Sequence, residues 1–162
     1  MKAGVDTIEH GAPLTDELLR LFKKNGLGNA SSLTCTLSPA LPFAVLSPEK
    51  THSTHVQKVN GRVDYEGVAT ATRQALANGI PVGLGTDSAC PFVTHYDMWR
   101  EVVYFQRHTG VTPEFALHTA TLKNAQLLGV ANETGSIETG KSADFIVLDT
   151  NPLDDLCALR NV

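Results

Sequence analysis

Cysteine is scarce in this 162-residue chain: Cys35, Cys90 and Cys157 are odd in number, far apart and outside any Cys-x-x-Cys pair. Neither a disulfide framework nor a cysteine zinc site is expected from them, and a reducing cytoplasm is the expected setting. Long apolar runs are missing as well. The longest, Leu41 to Leu46, falls far short of the roughly 20 residues that cross a bilayer, and Met1-Lys2 leads straight into Gly4 and Asp6 without the apolar stretch of a signal peptide. No basic run occurs, and thirteen Lys and Arg against seventeen Asp and Glu give a formal charge of −4. Nucleic acid and anionic membrane are therefore not expected partners. Internal repeats and low-complexity segments are absent too. What is present, 42% hydrophobic and 19% charged residues, suits a globular chain with one sizeable core.

The most telling stretch is Ile80-Pro81-Val82-Gly83-Leu84-Gly85-Thr86-Asp87-Ser88, an apolar run after Asn78-Gly79 that ends in a carboxylate. Its length and its Pro and Gly boundaries predict a buried strand with Asp87 at the C-terminal mouth. Asp87 there is either a cap for the following turn or a functional group at a strand end. A second strand, Val5 to Glu9, ends in Glu9-His10-Gly11 and places two metal-competent side chains at its edge. Leu33 to Leu37 alternates apolar and polar residues as a third. Between the strands lie helices: one opened by Thr15 as N-cap and stopped at Asn25-Gly26, another over Asp64 to Asn78 with the small apolar stripe Val68, Ala71, Thr72, Ala75 and Leu76. Alternating strands and helices predict parallel βα units.

Ser38 to Arg62 is interrupted by Pro39, Pro42 and Pro48 and reads as a lid or substrate loop, with a short helix beginning at Ser47-Pro48. It would carry His52 and His55 on one helix face, a metal pair by spacing or, given Lys50, Ser53, Gln57 and Lys58 around them, a solvated surface. After Cys90-Pro91 and His95 come a helix from Asp97 to His108 closed by Gly110, and another capped by Thr112, started by Pro113 and ended by Gly129. His118 lies within that helix and reads as structural. Gly140-Lys141 lacks the context of a phosphate loop. Phe145 to Leu148 predicts a last strand, after Gly-rich turns that take the chain into a small β element. At the other end, Lys2-Ala3-Gly4 reads as the last turn of a helix whose body is missing, as if the chain were cut from something longer.

Several local patterns then coincide: Ile8-Glu9-His10-Gly11; Gly85-Thr86-Asp87; Thr112-Pro113 through Ala116-Leu117, Ala120-Thr121, Asn124-Ala125 and Leu128-Gly129; Gly135-Ser136-Ile137-Glu138; Gly140-Lys141; Ala143-Asp144; and Asn151-Pro152-Leu153. In this order, over almost the whole chain, they resemble the C-terminal part of an amidohydrolase-superfamily enzyme, most of all the imidazolonepropionase-like and Xaa-Pro dipeptidase-like branch. The resemblance implies an α/β fold that is part of a (β/α)₈ TIM barrel, strands six to eight, over residues 1–134. Residues 135–162 would be the C-terminal β segment of a small β-sandwich. It implies that His10, after strand six, and Asp87, after strand eight, are ligands of a divalent metal, expected to be zinc. Asp87 would also be the catalytic acid/base, and His95 a substrate contact, a helix cap or an exposed loop residue.

The expected reaction is hydrolysis of a C–N bond in a small amide, dipeptide or cyclic amide. The family's paired histidines after strand one, its ligand after strand four and its histidine after strand five have no counterparts here. Alone, the chain is therefore expected to be inactive, with exposed sheet edges that allow a homo-oligomer. The alternatives are a non-catalytic remnant, an interaction module that completes its sheet against another chain, or an unrelated small α/β binding domain.

Overall fold

The computed structural model describes residues 5–24 and 31–161. Three short strands, β1 (Thr7–Glu9), β2 (Ser32–Cys35) and β3 (Val82–Leu84), form one sheet in the order β1-β2-β3. Both pairings are parallel, with Ile8 opposite Leu33 and Leu33 opposite Val82. Parallel neighbours need crossovers, and helices supply them. α1 (Asp16–Lys24) joins β1 to β2, while α2 (Leu41–Val45), α3 (Pro48–Thr51) and the long α4 (His55–Ala77) join β2 to β3. The predicted helix end at Lys2–Gly4 and the stop at Asn25-Gly26 lie outside the described residues.

Side chains alternate across β2. Leu33, Cys35 and Leu37 are fully buried in one cluster with Val68, Ala71 and Ala75 of α4 and with Val102, Val103 and Phe105 of α5 (Met98–Thr109). The small stripe expected on the third helix is thus its sheet-facing side. Ser32, Thr34 and Thr36 point the other way, and Gly85 shares that face, where a Cβ would meet Thr34 Cγ2 at 3.3 Å and Thr36 Oγ1 at 3.8 Å.

Two expectations need correction here. The third helix begins at His55, not at Asp64, because Thr54 and Gln57 form a reciprocal capping box that starts it one turn after α3. Ser38 to Arg62 is consequently mostly helical. It also separates the two histidines: His52 is the left-handed C-cap of α3, with φ 50°, and His55 is the first residue of α4, so no common helix face holds them. Gly61 sits inside α4, where α2 packs so closely that a Cβ would strike Phe43 Cβ.

The second correction concerns residues 142–148, which form no strand among the described residues. Phe145 and Val147 are 68% and 82% exposed. An extended segment becomes a strand only when another backbone takes up its N–H and C=O groups in register, and among the described residues Ser142 N–H alone is taken up, by Glu133 C=O at 2.8 Å. The helix after Thr112 is also not uniform: α6 (Pro113–His118), capped by the Thr112 hydroxyl, passes through a π-helical turn at Thr119–Lys123 into α7 (Asn124–Leu127). Beyond that turn, the Asn124 amide accepts from Leu84 N–H and donates to Leu84 C=O, each at 2.9 Å. In β3 the N–H of Gly85 is spent on Cys35 and the carbonyl of Pro81 on Leu33, so Leu84 faces away from β2. Asn124 therefore covers part of an edge expected to be bare.

Candidate active site

Both candidate ligands stand just past strand ends, in tight turns. His10 follows β1 with φ 61°, and Gly11 N–H reaches back to Glu9 C=O at 2.7 Å, a γ-turn of the rare positive-φ kind. Gly11, with φ 79°, completes the turn in the left-handed region that favours glycine, and a Cβ there would lie 2.7 Å from Leu33 Cδ1, which would have to shift. Asp87, three residues past β3, has φ 50°, and Ala89 and Phe92 in the same loop are also left-handed. Such backbone costs on the order of 1–3 kcal/mol for a non-glycine residue and is found clustered at functional sites.

The turns aim the two side chains at each other over the end of β2. His10 Nε2 lies 3.7 Å from Asp87 Oδ2, with the side chains 47% and 49% exposed. The strands that carry them are not neighbours, being separated by β2. Cys90 closes the loop by donating its thiol to Asp87 Oδ2 at 3.3 Å, and that hydrogen bond to the carboxylate is the main cause holding the thiol pKa above its usual value. His95 is not brought to this pair. It is exposed and stacks on Tyr96, ring centroids 3.9 Å apart, while Asp97 rather than His95 ties the loop together, accepting from Thr94 N–H and hydroxyl and pairing with Arg100. Glu9 and His118 are exposed.

Beside His10 opens a cavity of about 560 Å³. Thr36 and Pro39 after β2, Phe43 of α2, Pro91 of the β3 loop and Asn60 and Asp64 of α4 contribute to its walls. Among the described residues no group of three His, Cys, Asp or Glu side chains is placed to hold a metal ion. No helix there is long and apolar enough to cross a membrane.

One buried group escaped the sequence reading. Glu101 of α5 is fully buried at the end of β2, accepting from Leu37 N–H at 2.7 Å, Ser38 N–H at 2.9 Å and the Ser38 hydroxyl at 2.6 Å. Burial pushes its pKa up to about 7 against the opposing hydrogen bonds, and burial with the nearby carboxylate drives the Cys35 thiol well above its ordinary range. Its sequence signal was its place among Met98, Val102 and Phe105 on the inward face of α5.

Comparison with known proteins identifies the family of this fold. The family model described as "Amidohydrolase family" matches residues 3–162. A crystal structure of a protein from Bifidobacterium longum assigned as a prolidase superposes with a TM-score of 0.90 at 47% identity, covering 98% of this chain and 39% of that one. A Xaa-Pro dipeptidase with bound methionine superposes with a TM-score of 0.79 at 29% identity, covering 98% and 37%. Imidazolonepropionase of Thermoplasma acidophilum is 34% identical over 84 residues, 52% of this chain and 20% of that enzyme. The chain thus spans well under half the length of these relatives. Parallel strands, polar groups at their C-terminal ends and a family match over nearly every residue lead to one conclusion: this chain belongs to the amidohydrolase family.

Proposed function

We propose that these residues are the part of a metal-dependent C–N hydrolase that carries His10 and Asp87, strands six to eight of a (β/α)₈ barrel in residues 1–134, with residues 135–162 returning to a small β-sandwich. The observation that carries the reading is the 3.7 Å approach of His10 Nε2 to Asp87 Oδ2 from two strand ends that are not adjacent. Two ligands of one zinc ion, each about 2.0–2.2 Å from it, lie at about this separation, so an imidazole nitrogen and a carboxylate oxygen fit that group. Further ligands belong to sequence outside these 162 residues, in line with a chain that covers 39% of the Bifidobacterium protein.

A divalent cation held by such residues acts as a Lewis acid, lowering the pKa of water to about 7 and polarising a carbonyl. Asp87 takes the proton of the attacking water and delivers it to the departing amine nitrogen as the C–N bond breaks and the new C–O bond forms. His10, half exposed and lining the cavity, would serve as a metal ligand or polarise the scissile carbonyl. His95, exposed and stacked on Tyr96, would touch only a substrate that extends beyond the cavity. Relatives named prolidase, Xaa-Pro dipeptidase and imidazolonepropionase favour a dipeptide or cyclic amide substrate.

The absence of a three-ligand group among the described residues favours a second reading, a non-catalytic remnant or interaction module. Metal analysis with and without added zinc, made on these residues together with the rest of the barrel that would supply the further ligands, separates the two. The hydrolase reading expects bound zinc that Asp87→Ala and His10→Ala each lower by about tenfold or more in affinity, a size typical of lost metal-site interactions. Zinc retention equal in all three proteins, or absent from all, sinks it.

A further inference from the structure

The α4 wall of the cavity beside His10 has its own chemistry. Gln57, Asn60 and Asp64 recur at i, i+3 and i+7, one helix face, and all three line the cavity. Asp64 is the charged member, and nothing basic neutralises it among the described residues. Lys58 is turned away, its Nζ bonded to the carbonyls of Phe43 and Leu46 at the end of α2, and Arg62 is paired with Glu66 at 3.1 Å. Among the described residues no lysine or arginine lines the cavity.

Pro39, Phe43 and Pro91 add apolar lining to the same cavity. It is a built lining. Glycine at position 61 lets α2 press against α4, and Phe43 packs edge-on against Phe92, ring centroids 5.7 Å apart. A volume of about 560 Å³ lies within the range of small-molecule sites.

We propose that this cavity selects small amides that carry an apolar ring and a positively charged group, with Asp64 receiving the charge and Phe43 with its neighbouring prolines receiving the ring. This deepens the hydrolase reading and rests on it for placing the scissile amide near His10. A protonated amine or guanidinium gains the uncompensated carboxylate, whereas an anionic substrate would meet it with no cation at hand.

The test uses the whole 162-residue chain without metal, titrated by NMR with L-phenylalaninamide, its neutral N-acetyl derivative and 3-phenylpropionate. Because Asp64 borders solvent, the cation should bind only about fivefold more tightly than the neutral amide, the upper range for a partly exposed charge pair. The anion should bind most weakly. Asp64→Asn should erase the difference, and Glu66→Gln, outside the cavity wall, should leave it intact. Equal binding of cation and neutral amide, a preference that survives Asp64→Asn, or no binding by any probe overturns the proposal. Neither metal nor turnover enters this measurement, so its failure is distinguishable from failure of the zinc experiment.

Discussion

Glu101 pairs with no cation among the described residues, yet it is fully buried. Its partners are the backbone N–H groups of Leu37 and Ser38 and the Ser38 hydroxyl, so it holds the turn that carries Pro39 into the cavity wall. Glu101→Ala would strand those donors in the core, and loss of about 2–4 kcal/mol in chemical denaturation is expected. Glu101→Gln, which keeps one acceptor, should cost less. The carboxyl pKa is raised by burial from 4.5 to about 7, so the folded state holds a proton that the unfolded state has released. Its stabilising contribution is complete below about pH 4.5 and is lost as pH rises through about 7. Melting temperature should therefore fall over that interval in the wild-type chain and fall less in Glu101→Gln; identical slopes would refute the assignment. The position of Glu101 on the inward face of α5 was legible from spacing, but its partners were not, because they lie more than sixty residues away in sequence.

At the scale of elements, local signals were read most accurately where a cap or a glycine defines an end. Thr15 does cap α1, its hydroxyl accepting from Leu18 N–H at 3.3 Å, and Thr112 caps α6 in the same manner. Gly110 and Gly129 end their helices at φ 75°. The start of α4 departs from expectation because Pro39, Pro42 and Pro48 argue for a loop, whereas the Thr54–Gln57 capping box and α2 packing make a helix of it. Gly61→Ala provides a direct check. Helix propensity alone predicts a gain of about 1 kcal/mol, but the added methyl would strike Phe43, so a lowered melting temperature is expected. A raised one would mean that α2 yields and that the cavity wall is not held as described.

On the scale of the molecule, the sheet has one face filled by α4 and α5 and another of small polar residues, where Ser32 Oγ is buried without a partner among the described residues. Ile137, Phe145 and Val147 are 95%, 68% and 82% exposed, large apolar side chains of the kind that favour association when left uncovered. Concentration-dependent association in sedimentation is expected, reduced by the triple change Ile137→Ser, Phe145→Ser and Val147→Thr; a monomer at every concentration would count against it. The sequence alone determined the βα alternation, most of the helix caps and the two strand-end residues His10 and Asp87, because each is written in local periodicity or in a short motif. Only the tertiary structure decided what depends on distant partners: the approach of His10 to Asp87 across β2, the Asn124 clamp on β3, the burial of Glu101, and the failure of 142–148 to become a strand. The reason is the same in each case. Backbone and polar groups need partners, and neighbours in sequence do not say which distant groups will supply them.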